Sequence, residues 1–137
     1  RIISRPLGSN NIGGNLSILY SLLGSNSDID TDGKILFMED LDEYLYHIDR
    51  MIMNLKRNGK FENLKALIVG GMSDMNDNDI PFGKTAEQII LEHTKDYDFP
   101  ICFGFPTGHL NDNRTIVFGV KSLLEISAKK VRLTYPY

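Results

Sequence analysis

The sequence has a single cysteine, no long apolar run, no excess of positive charge and no low-complexity tract. Each absence excludes something. Cys102 has no partner within the chain, so the fold does not depend on an internal disulfide, and this usage favours a reducing compartment. No apolar stretch approaches the roughly 18 residues that cross a bilayer as a helix. A net charge of −3 argues against nucleic acid as the main partner, because phosphate binding needs a basic surface. No Pro/Gly/Ser-rich linker or internal repeat divides the chain, so residues 1–137 read as a single domain. The chain opens on Arg1 without a signal-peptide pattern and is expected to be part of something longer.

What is present is ordinary for a globular domain: 137 residues, 42% hydrophobic and 24% charged. Such a length buries about two thirds of the unfolded surface, enough to fold without a structural metal. Acidic residues crowd between Asp28 and Asp49, and past Asn113 five basic residues face one acid, Glu125. This asymmetry reads as solvated surface.

Apolar spacing and turn residues give the elements. Residues 2–5 are a candidate strand closed by Pro6 and Gly8, and residues 13–15 a turn. Residues 16–23 read as a buried helix with Asn15 as N-cap and Gly24 as its stop. The continuous apolar run at 35–38 predicts a strand buried on both faces. Spacings of three and four predict a helix over 42–57, ended by Gly59. A further buried strand at 66–69 is broken by Gly70-Gly71. A polar loop covers 73–79, a helix 85–95, a strand 100–105 and a Gly- and Asn-rich loop 106–114. Residues 115–119, 122–127 and 130–135 read as a three-stranded meander. Strand–helix alternation followed by strands predicts an α/β domain with a mixed sheet or partly closed barrel and flanking helices. Segments 35–38, 66–69 and 100–105 are expected side by side in one sheet.

Several chemical motifs fail on inspection. Gly8 and Gly13 have P-loop spacing, but Gly14 and Asn15 stand where Lys and Ser/Thr are needed, so no phosphate cradle forms. Asp74, Asn76 and Asn78 start like a calcium loop, but Asp79 replaces the turn glycine and Thr85 the bidentate Glu. His47, His93 and His109 are too far apart for a short zinc motif, so no metal or other cofactor is expected. No serine sits on a nucleophile elbow. The sequons at Asn15 and Asn113 read as chance. His47 and His93 read as helix-face residues.

One pairing remains. Glu39 follows a buried strand, at the end where open α/β sheets bind ligands, and His109 lies in a loop after another such strand. A carboxylate there could fix the imidazole tautomer and leave the other nitrogen as a general base. The plainer alternatives are an acidic first helical turn for Glu39-Asp40 and a solvated loop histidine.

A set of segments strengthens the chemical reading. These are Gly13-Gly14-Asn15-Leu16-Ser17, Ile35-Leu36-Phe37-Met38-Glu39-Asp40, Ile48-Asp49-Arg50-Met51, Leu67-Ile68-Val69-Gly70-Gly71, Pro106-Thr107-Gly108-His109 and Phe118-Gly119-Val120. In this order they resemble the C-terminal half of the serine peptidases that include the L,D-carboxypeptidases (muramoyltetrapeptide carboxypeptidases) and the microcin C immunity peptidases. The resemblance implies a swivelling β/β/α-type domain and a Ser-Glu-His triad to which Glu39 and His109 contribute. The serine would lie in an N-terminal domain that this sequence does not contain. It further implies release of terminal D-alanine from muropeptide tetrapeptides in the cytoplasm, during peptidoglycan recycling, and a homodimer as the expected pairing. The alternatives are a peptidase of the microcin C immunity branch and a non-catalytic ligand-binding domain on the same scaffold. Gly14 and Asn15 shape the cleft in this reading without a chemical role.

Overall fold

The computed structural model describes residues 2–136. Its elements are β1 (Leu7–Asn15), α1 (Leu16–Leu22), β2 (Ile35–Leu41), α2 (Leu45–Arg57), β3 (Ala66–Ser73), α3 (Ala86–Thr94), β4 (Ile101–Cys102), β5 (Lys121–Ile126) and β6 (Val131–Thr134). They form one mixed six-stranded sheet in the order β4-β3-β2-β1-β5-β6, nearly closed into a barrel. β1 to β4 run parallel, while β5 and β6 join antiparallel on the far side of β1. The expected neighbours at 35–38, 66–69 and 100–105 are adjacent, although only Ile101 and Cys102 of the last segment are strand.

The apolar run of β2 explains the layering. Leu36 and Met38 face α1, α2 and α3 and join Leu16, Ile48, Met51, Ile52, Leu55 and Ile89 in one core. Ile35 and Phe37 point to the opposite, inner face and pack with Ala66, Ile68, Cys102, Leu124 and Ile126. A strand buried on both sides needs apolar residues without alternation, which is what this run supplies.

Several boundaries differ from the sequence expectation. Residues 2–5 are not a strand; they contribute one backbone bond, from Ile3 N to Ile126 O at 3.0 Å. Residues 13–15 are not a turn but the end of β1, paired with Phe37, Met38 and Glu39. Gly13 has φ +147, and a Cβ there would lie 1.9 Å from Phe37 O, so glycine lets the two backbones approach. The helix expected over 42–57 begins only at Leu45. Asp42 has a left-handed φ of 57, and its N–H donates to Ser73 O at 3.0 Å. Residues 115–119 form no strand; this stretch lies as a loop across β1, with Gly119 N donating to Asn11 O at 2.8 Å. α3 starts where expected because Thr85 and Gln88 form a capping box.

Candidate active site

β2 carries the first group of the site. Beyond Met38 the strand continues, and Glu39 leaves on the inner face, in line with Ile35 and Phe37. On β3 the register passes from Val69, opposite Met38, to Met72, opposite Asp40. Gly70 and Gly71 therefore stand against Glu39 alone. They do not break β3, as the sequence suggested; they form a β-bulge within it. A Cβ on Gly70 would lie 2.3 Å from Thr107 O. The missing side chain lets the 106–114 loop settle onto the strand, where Gly71 N donates to Thr107 O at 3.1 Å.

That loop carries the second group and is tied at several points. Thr107 Oγ1 donates to Arg114 O at 2.8 Å, Gly108 N to Asn113 Oδ1 at 3.1 Å, and Ser73 Oγ to His109 O at 2.6 Å. Gly108 has φ +116, and a Cβ there would sit 2.9 Å from both Cγ and Oε2 of Glu39. Only glycine brings the loop this close to the carboxylate.

The result is a contact of 2.7 Å between His109 Nδ1 and Glu39 Oε2. The Glu39 side chain is 9% exposed and the His109 side chain 50%. A carboxylate acceptor assigns the ring proton to Nδ1 and leaves a lone pair on Nε2. Among the described residues Nε2 has no hydrogen-bond partner, so no serine of this chain is seated against it. Beside the loop opens a cavity of about 690 Å³, lined by Gly70, Gly71, Ser73, Met75, Thr85 and Leu110 among others. This is within the usual size for a small-ligand or peptide pocket.

The other candidates fall elsewhere. His93 Nε2 meets Asp49 Oδ1 at 2.7 Å between α3 and α2, and His47 Nδ1 on α2 meets Oε2 of Glu43, just before the helix, at 2.8 Å. Both are helix-face residues. Burial pushes the Cys102 thiol up to about 11, so it is no nucleophile near neutral pH. Among the described residues no group of three or more His, Cys, Asp or Glu side chains could hold a metal ion.

Sequence reasoning missed the chemistry of Asn15. Its Nδ2 donates to Glu39 Oε1 at 3.3 Å and to Asp40 Oδ1 at 3.0 Å, while its Oδ1 caps α1 by accepting from Ile18 N at 3.2 Å. The available signal was its place: an N-cap at the end of a strand adjoining the one that carries Glu39.

A family model described as the LD-carboxypeptidase C-terminal domain matches residues 9–124, which include both Glu39 and His109. A probable murein peptide carboxypeptidase of Bacillus subtilis is 34% identical over 122 residues, covering 86% of this chain and 37% of that protein. The Microcin C7 self-immunity protein MccF of Escherichia coli is 30% identical over 128 residues, covering 92% of this chain and 36% of that protein. The crystal structure of muramoyltetrapeptide carboxypeptidase from Oxalobacter formigenes superposes with a TM-score of 0.84 at 28% identity, covering 100% of this chain and 49% of that one. The chain thus spans a little over a third of the length of these curated relatives.

Proposed function

Since the chain belongs to the LD-carboxypeptidase C-terminal domain family, we propose that it forms the Glu–His half of a serine peptidase that releases D-alanine from muropeptide tetrapeptides. The observation that carries this reading is the 2.7 Å Glu39–His109 contact with its unengaged Nε2. The serine comes from an N-terminal domain outside this chain. His109 Nε2 takes the serine proton as the serine oxygen bonds to the amide carbonyl carbon. The C–N bond then breaks, and the imidazolium returns that proton to the departing amine of D-alanine. Water, deprotonated by the same nitrogen, cleaves the acyl-enzyme. Glu39 holds the ring and balances its transient charge. The cavity beside Leu110 has room for part of the peptide. The reaction takes place in the cytoplasm and needs no cofactor.

The test uses the whole protein that contains this chain and measures free D-alanine from a muropeptide tetrapeptide. His109→Ala lowers kcat by about 10⁴–10⁶, and Glu39→Gln by about 10⁴, because an amide supports the wrong tautomer and leaves the imidazolium uncompensated. The double variant is little worse than His109→Ala, since the two residues act as a unit. His93→Ala, folded, stays within a few-fold of the parent. Near-normal turnover in His109→Ala removes His109 as the base. Release of D-alanine by the 137-residue chain alone would place the nucleophile among its own serines.

A further inference from the structure

Glu39 and Asp40 are consecutive on a strand, so their side chains leave by opposite faces. Glu39 turns inward to His109. Asp40, 3% exposed, turns to the helix side. There it accepts from Ser17 N at 2.9 Å and Leu41 N at 2.8 Å, and shares the single Ser17 Oγ proton, at 2.6 Å, with Glu43 Oε1, at 2.8 Å. The proposed reaction uses none of these bonds. Asn15, opposite Glu39 in the β1–β2 register, links the two faces. Its Nδ2 has two hydrogens and two carboxylate neighbours, Asp40 Oδ1 at 3.0 Å and Glu39 Oε1 at 3.3 Å. The reversed amide would set an oxygen against both carboxylates and an N–H against the Ile18 N–H. Only one orientation satisfies all three contacts.

We propose that Asp40 is a positioning residue for the Glu39–His109 pair, acting through the Asn15 amide. Asp40 is the better-held partner, fixed by the start of α1 and by its own strand. It keeps Asn15 Nδ2 in place against Glu39 Oε1. That contact is long and would not persist on its own. With Oε1 engaged, the Glu39 carboxylate cannot rotate freely, and Oε2 stays on His109 Nδ1. The consequence is a single ring tautomer, Nδ1–H, with the Nε2 lone pair facing outward. As an account of catalysis this rests on the role given above to Glu39 and His109. The geometry itself needs neither serine nor substrate.

The experiment is ¹⁵N NMR of the histidine rings in the labelled 137-residue chain near pH 9, above the ordinary histidine value. The parent shows His109 as the Nδ1–H form. Asp40→Asn reduces the ratio of Nδ1–H to Nε2–H by about tenfold, the effect of losing one net hydrogen bond. Asn15→Ser does the same while keeping an N-cap on α1. The double variant loses no more than either single. His93, pinned to Asp49, gives an unchanged signal in the same spectra and reports that the fold is intact. A folded Asp40→Asn or Asn15→Ser with a His109 ratio within twofold of the parent overturns the proposal; a lowered Tm alone would reduce Asp40 to a helix cap. If Asp40→Asn does not fold, Asn15→Ser decides. No D-alanine is measured, so this result and the peptidase test fail independently.

Discussion

Asn11 lies wholly buried on the inner face of β1, and neither polar atom of its side-chain amide has a hydrogen-bond partner among the described residues. An orphaned amide costs about 1–3 kcal/mol, and an apolar group of the same shape avoids that cost. Asn11→Leu is therefore expected to raise stability by about 1–2 kcal/mol in urea denaturation; a loss instead would mean that an ordered water satisfies the amide. Gly108→Ala acts in the other direction. Its Cβ would enter the space of Glu39 Oε2, so the pair separates by about an ångström. In the proposed reaction such a misplacement costs on the order of 10² in turnover, measured on the whole protein that contains this chain, with the fold retained in circular dichroism. At this scale the site was half legible. The meeting of Glu39 and His109 could be read because both follow buried strands within segments that resemble the family's. The Asn15–Asp40 link could not, because it depends on a backbone register that no local pattern encodes.

Among the elements, β2 and the helices were readable from apolar spacing. β1 was not. Leu-Gly-Ser-Asn-Asn-Ile-Gly-Gly-Asn has no alternation, and two of its glycines mimic a turn. Its strand conformation is imposed by β2 on one side and β5 on the other. Tertiary pairing here overrides local propensity. Residues 115–119 mislead in the opposite sense. Ile116, Val117 and Phe118 look like strand, yet they lie in a loop in which Ile116 packs on the inner core, Phe118 meets the Phe37 ring at 5.9 Å between centroids and Val117 is exposed. The same dependence on close backbones makes Gly13→Ala severe. A Cβ 1.9 Å from Phe37 O cannot be accommodated without parting β1 from β2. The expected cost is about 3 kcal/mol or more, measured as a lowered urea midpoint; an unchanged midpoint would contradict the tight β1–β2 approach.

For the whole molecule, Cys102 adds a pH dependence. Its thiol is held up to about 11 by burial, against 9.0 for a free thiol. Between those values the unfolded chain has lost the proton and the folded chain keeps it. Stability from this group is full below pH 9 and is lost as pH rises toward 11, by about 2–3 kcal/mol in all. Cys102→Ala, measured from pH 8 upward, should lack that decline; an identical slope in both proteins would assign it to other groups. The sheet order has a consequence for how the chain is made. Of the six strands β1 is synthesised first, yet one of its edges is closed only by β5, with Leu7 paired to Leu124. At ordinary elongation rates that edge stays open on the ribosome for roughly 5–20 s, a window in which a nascent chain is exposed to strand exchange and chaperone capture.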